Sequence, residues 1–130
     1  MKLIEEINLP NGLHLKIYDL SREIAADTVK VEIVFKTDID LKESFFSTLA
    51  DYQQVQSIFG DKLTYEYKME RAYIQKERGN DIREELINTF KNNSLHYLGA
   101  ANFAEKLAQS MLRDIKKNPY KYRNKADNKT

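Results

Sequence analysis

Residues 28–39 alternate almost without a break. Val29, Val31, Ile33, Phe35 and Ile39 hold one parity, and Thr28, Lys30, Glu32, Lys36 and Asp38 hold the other. Successive side chains of a strand point to opposite faces, so this spacing predicts a strand with one dry face and one wet face. One-sided burial is the habit of antiparallel sheets. Upstream, Leu3, Ile7 and Leu9 lead into Pro10-Asn11-Gly12, after which Leu13, Leu15 and Ile17 alternate with His14, Lys16 and Tyr18. Asn-Gly supplies the two positive-φ positions of a tight hairpin turn, which predicts a β-hairpin with Leu13, Leu15 and Ile17 toward the core. Residues 19–27 read as a connection, with one short turn of helix around Ser21-Arg22-Glu23.

After Asp40 the period lengthens. Phe45, Leu49, Tyr52, Val55, Ile58 and Phe59 recur at helical spacing, and Gly60 is placed to end the helix. The polar run 51–54 leaves a broken or short helix as good a reading as a continuous one. Period two returns at Leu63, Tyr65, Tyr67 and Met69, opposite Thr64, Glu66, Lys68 and Glu70, and predicts a fourth strand reaching Ile74. Residues 78–81 read as a turn and an N-cap. Ile82, Leu86, Phe90 and Leu98 then make an amphipathic helix that ends before Gly99. A last helix opens with Asn102 as cap and Glu105 three residues on, a capping-box spacing. Its apolar seam is Phe103, Leu107, Met111 and Ile115, and Pro119 stops it.

The predicted order is β-β-β-α-β-α-α: an α+β fold with a four-stranded, mainly antiparallel sheet and helices packed on one face. The 130 residues suit one domain over 1–118, followed by a flexible basic C-terminal tail over 119–130. A net charge of +1 gives no bulk electrostatic pull toward nucleic acid. The chain has no cysteine, which removes disulfides, thiolate nucleophiles and thiolate metal sites. No stretch approaches the roughly 20 apolar residues of a membrane span. The opening Met1-Lys2-Leu3-Ile4-Glu5-Glu6 turns acidic after two apolar residues, unlike a secretory signal, so the expected location is the cytoplasm.

Four groups of residues carry chemistry worth weighing. Glu66 and Lys68, two apart on one strand face, match half of a metal-dependent nuclease pattern, with Asp38, Asp40 or Asp51 as the upstream acid. The same alternation is what one-sided burial produces anyway. Asp38, Asp40 and Glu43 could ligate a hard cation, but a calcium loop wants a glycine at its sharp turn and more oxygen ligands in sequence. His14 and His96 are too far apart in sequence for a two-histidine helical or strand motif, so no metal site is expected. No Gly-x-Ser-x-Gly and no phosphate-cradling glycine loop occurs, and no cofactor is expected.

The fourth group is the tail, where Lys117, Tyr120, Lys121, Tyr122 and Arg123 interleave basic and aromatic side chains. Such a pattern can track a phosphate backbone and stack on bases. Lys116, Lys125 and Lys129 extend it. Elsewhere, Tyr18, Asp19 and Arg22 place an aromatic, a carboxylate and a guanidinium at a strand exit, where loops commonly carry binding groups.

The stretch Leu9-Pro10-Asn11-Gly12-Leu13, followed by Ile17-Tyr18-Asp19-Leu20-Ser21-Arg22, resembles the start of a small family of uncharacterised bacterial proteins. The strand with Tyr67 and the two closing helices are compatible with that family. The resemblance implies a bacterial cytoplasmic domain, and it carries over no activity and no functional residue. The leading expectation is a non-enzymatic protein-interaction module binding a protein partner or forming a homodimer, with no membrane contact. Its alternative is a nucleic-acid-associated protein working through the tail, and the third class is a metal-dependent hydrolase on the wet sheet face.

Overall fold

The computed structural model describes residues 1–122. The strands are β1 (Lys2–Asn8), β2 (His14–Asp19), β3 (Arg22–Ala25), β4 (Thr28–Asp40) and β5 (Lys62–Gln75), and the helices are α1 (Leu49–Phe59), α2 (Gly79–Leu98) and α3 (Phe103–Lys117). Single 3-10 turns at Glu43–Phe45 and Lys76–Arg78 precede α1 and α2. The fold class is α+β with an open antiparallel sheet, as the patterning predicts. The chain divides into two compact units, one of Met1–Thr37 with Tyr65–Ala100, the other of Asp38–Thr64 with the chain from Ala101.

In the first unit β1 pairs with β2, and β2 and β3 both pair with β4, all antiparallel. The sheet has five strands where the sequence pattern predicts four, and the extra one is β3. The expected helical turn at Ser21-Arg22-Glu23 is therefore a correction: Arg22 and Glu23 are extended and lie opposite Lys30 and Val29. β2 and β3 keep one register along β4, since Asp19 faces Ile33 and Arg22 faces Lys30, three residues on in each strand. They form one line interrupted at Leu20 and Ser21. That gap is closed by Leu20 N donating to the Glu32 carbonyl at 2.8 Å and Glu32 N donating to Ser21 Oγ at 3.1 Å. With β2 and β3 on one edge of β4, β5 takes the other.

One face of this sheet carries Leu15, Ile17, Val31, Ile33 and Phe35, all fully buried. α2 lies against it with Ile82, Leu86, Phe90 and Leu98 inward, the stripe its spacing predicts. Phe90 stacks on Phe35 with ring centroids 3.7 Å apart, and Gly79 lets α2 start beside Val29. The hairpin turn differs from the predicted one. Gly12 alone takes positive φ, at 89°, and Asn11 does not, so the connection is longer: Leu9 N donates to the Leu13 carbonyl and Gly12 N to the Leu9 carbonyl. Asn11 is held instead by its side chain, whose Nδ2 donates to the carbonyls of Leu98 and Ala100 at the end of α2.

In the second unit the helical period after Asp40 yields a broken element. A 3-10 turn comes first, and then α1 opens at Thr48, whose hydroxyl accepts from Asp51 N. Gly60 ends α1 at φ 80°, ψ −151°, a conformation open to glycine. Val55 and Ile58 of α1 are buried, as are Phe103, Ala108 and Ile115 of α3. The capping box at Asn102 does not form. Its side chain makes no cap bond, and Glu105 accepts from Gln109 one turn on. Residues 119–122 continue as a helical turn, and Tyr122 is only 5% exposed.

Candidate functional site

The wet face of the sheet is built by the even-numbered residues of β4 and β5. Lys30 Nζ lies 3.3 Å from Glu32 and 3.1 Å from Glu70, Lys68 lies 3.8 Å from Glu70, and Lys36 lies 3.9 Å from Glu66. The pairs run in opposite directions along the two strands, as an antiparallel register requires. The hydrogen bond to Glu70, then that to Glu32, raises the Lys30 pKa, and Lys30 in turn holds Glu70 below the usual carboxylate range. Glu32 itself is 6% exposed, covered by Lys30 and by Arg22 at 3.8 Å. The sequence puts Glu32 on a solvated face. The structure corrects this, because the long stems of its cationic neighbours lie over it.

Tyr18, Asp19 and Arg22 do not converge. Tyr18 faces Val34 across β2 and β4 on the wet side. Asp19 points to the other face, where Oδ2 lies 2.7 Å from Arg83 Nε of α2 and Oδ1 accepts from Ser21 N at 2.8 Å. Arg22 stays with Glu32. A shallow depression of about 290 Å³ does open beside Arg22, where Glu23 and Lys76 form a 2.8 Å ion pair near the start of α2. Each of its charged groups has a partner of opposite sign, Arg83 included, so its field is largely cancelled locally.

Asp38, Asp51 and Glu66 of the nuclease-like pattern are engaged. Asp38 accepts from the Thr64 hydroxyl at 2.8 Å, Asp51 pairs with Lys116 at 3.2 Å, and Glu66 pairs with Lys36. Among the described residues, no three Asp, Glu or His side chains group as metal ligands would. Among the described residues, too, no helix is long and apolar enough to cross a membrane.

The basic segment divides. Tyr122 packs edge-on against Phe59 with centroids 5.8 Å apart and donates its hydroxyl hydrogen to Asp114. Lys121 Nζ reaches the same carboxylate at 3.3 Å. These contacts hold the Asp114 pKa down, Tyr122 first and Lys121 second, and they raise those of Tyr122 and Lys121. Tyr122 therefore serves packing in the second unit. Lys117 and Tyr120 are exposed, and Arg123 lies outside the described residues.

The feature that sequence reasoning passed over is the outer edge of β5. β1, β3 and β5 each pair with a single strand, so each leaves one side as an edge of the open sheet, and β5 is the longest of the three. From Glu66 to Gln75 no residue of β5 is buried, and most are exposed. Tyr67 on this strand is 49% exposed, Tyr73 is 83% exposed at φ 57°, and Tyr97 of α2 is 51% exposed. Tyr65 completes the group, and burial, with the nearby Tyr97 and Tyr67, raises its pKa. The signal was present as three tyrosines in a long alternating run, but alternation alone does not say which strand ends a sheet. Compared with protein-family models, with curated proteins and with solved structures, the chain gives no match.

Proposed function

We propose that this chain is a non-enzymatic protein-interaction module that recognises its partner along the open edge of β5. The observation that carries the reading is the edge itself: a 14-residue strand bonded to β4 on one side, with Tyr67 and Tyr73 displayed beside it. An unpaired edge offers a row of backbone donors and acceptors to an incoming strand, and flanking side chains set which strand is accepted. Tyrosine supplies large contact area at low entropic cost and is enriched in interface cores. A bacterial cytoplasmic setting goes with this proposal.

The test is affinity capture from the native cells with the full-length chain, after nuclease treatment, alongside the Tyr67→Ala/Tyr73→Ala variant checked for folding by circular dichroism. A defined protein captured by the parent chain and lost from the variant is the expected result. Equal capture by both chains would move the interface off β5. Capture of nucleic acid that disappears on nuclease treatment would put the basic segment at Lys117 and Tyr120 in its place.

A further inference from the structure

The sign pattern of β5 selects a partner. Glu66, Lys68 and Glu70 occupy successive positions on its wet face, each about half exposed. Alternating sign on an edge strand sets at least one like-charge pair against a uniformly charged intruder, yet the same alternation can match itself when a second copy runs antiparallel. Registers that keep the dry and wet faces of two sheets continuous must pair even residues with even residues.

Three such registers lie near the middle of the strand. Centred on Lys68, the pairing sets Lys68 against Lys68 and Glu66 against Glu70, with like charges opposed. Centred on Met69, it sets Lys68 against Glu70, but Glu70 is already held by Lys30 at 3.1 Å. That register also draws Tyr73 into the ladder at φ 57°, outside strand geometry. Centred on Tyr67, it sets Glu66 against Lys68 twice, Tyr67 against Tyr67, and Tyr65 against Met69. Of the two carboxylates on this face of β5, Glu66 has the looser hold, at 3.9 Å from Lys36 against 3.1 Å between Glu70 and Lys30.

Resting on the interaction-module reading, we propose that β5 pairs antiparallel with β5 of a second copy, in the register centred on Tyr67, joining two sheets into one across a two-fold axis. Every Glu66–Lys68 contact then occurs twice, and the two Tyr67 rings meet on the axis. Two-fold symmetry makes such an interface self-complementary, and closing each edge with the other leaves neither exposed.

Sedimentation equilibrium of the purified full-length chain over a range of concentrations tests this with four proteins: the parent, Glu66→Lys, Lys68→Glu and the double swap. Each single swap turns two attractive pairs into two repulsive ones and is expected to weaken dimerisation by about tenfold or more. The double swap exchanges the signs and should restore the parent value to within about threefold. Circular dichroism melting checks each fold. A parent chain that is monomeric at every concentration overturns self-pairing. If the Tyr67/Tyr73 variant still loses a foreign protein in the capture experiment, the broader reading stands. A dimer indifferent to both single swaps places the interface elsewhere, and single-swap losses without rescue overturn the Tyr67-centred register.

Discussion

Asn11 Nδ2 lies 2.7 Å from the carbonyl oxygen of Leu98, 87 residues away in sequence, and 2.9 Å from that of Ala100. A turn residue thus closes the C-terminus of α2. The last carbonyls of a helix have no partner within it, and here a side-chain amide from the β1–β2 turn supplies two hydrogens. The Asn11 Oδ1 meanwhile accepts from Leu13 N at 3.1 Å, so both ends of the amide are used.

Asn11→Ala removes all three bonds and leaves part-buried helix carbonyls without their donor. The expected cost is about 1–3 kcal/mol. Asn11→Asp should cost at least as much, since a carboxylate has no hydrogens to give and faces two carbonyl oxygens. Chemical denaturation reads both. A midpoint unchanged in Asn11→Ala would mean that water closes the helix equally well.

Gly79 and Gly99, at the two ends of α2, should respond in opposite directions to a methyl group. A Cβ on Gly79 would sit 3.5 Å from Val29 Cγ2, an ordinary contact, and the residue is helical at φ −55°, ψ −46°. Gly79→Ala should therefore stabilise the protein by about 0.4–1 kcal/mol by restricting the unfolded chain. A Cβ on Gly99 would meet Pro10 Cδ at 2.9 Å and the Leu95 carbonyl at 3.2 Å. Gly99→Ala should cost about 1–3 kcal/mol, because the turn and the helix end must separate. A Gly99→Ala melt at or above the parent's temperature would contradict the close approach at Gly99, and a Gly79→Ala melt below it would contradict the open contact at Gly79.

The Tyr122–Asp114 contact predicts a pH signature. Asp114 has its pKa lowered in the folded protein, so its contribution to stability is present above the ordinary carboxylate value of 3.8 and is lost as pH falls through the lower folded value. Tyr122 has its pKa raised above 10.0, so its contribution is complete below that pH and lost as pH rises through the higher folded value. Between these limits Tyr122→Phe should be less stable than the parent, and the difference should close at both extremes. Tyr122→Ala should lose more than Tyr122→Phe, since contact with Phe59 goes as well. Melting temperatures of the three proteins across pH decide this, and a gap between the parent and Tyr122→Phe that stays constant into acid would show that Asp114 is not the acceptor.

Local periodicity made much of the fold legible. The alternation from Val29 to Ile39 and from Leu63 to Met69 marked β4 and β5, and Ile82, Leu86, Phe90 and Leu98 marked the buried stripe of α2. Failures fell where a distant group settled a local choice. Ser21, Arg22 and Glu23 have no strand pattern of their own, and they are extended because β4 runs on past β2 and offers them a ladder. Asn11 has turn chemistry, but its side chain answers to α2. Tyr122 sits among lysines, and its place was decided by Phe59 and Asp114.

Spacing of apolar residues determined, from the sequence by itself, which segments are strands or helices and which of their faces is dry, because the strand and helix periods are properties of the backbone. Tertiary structure alone decided that β5 is an edge, that Glu32 is covered, and that Tyr18, Asp19 and Arg22 part company. Edge position depends on which strands pair, burial of a charge on which stems lie across it, and convergence on which face of the sheet each residue meets. All three are relations between segments distant in sequence, and no local pattern encodes them.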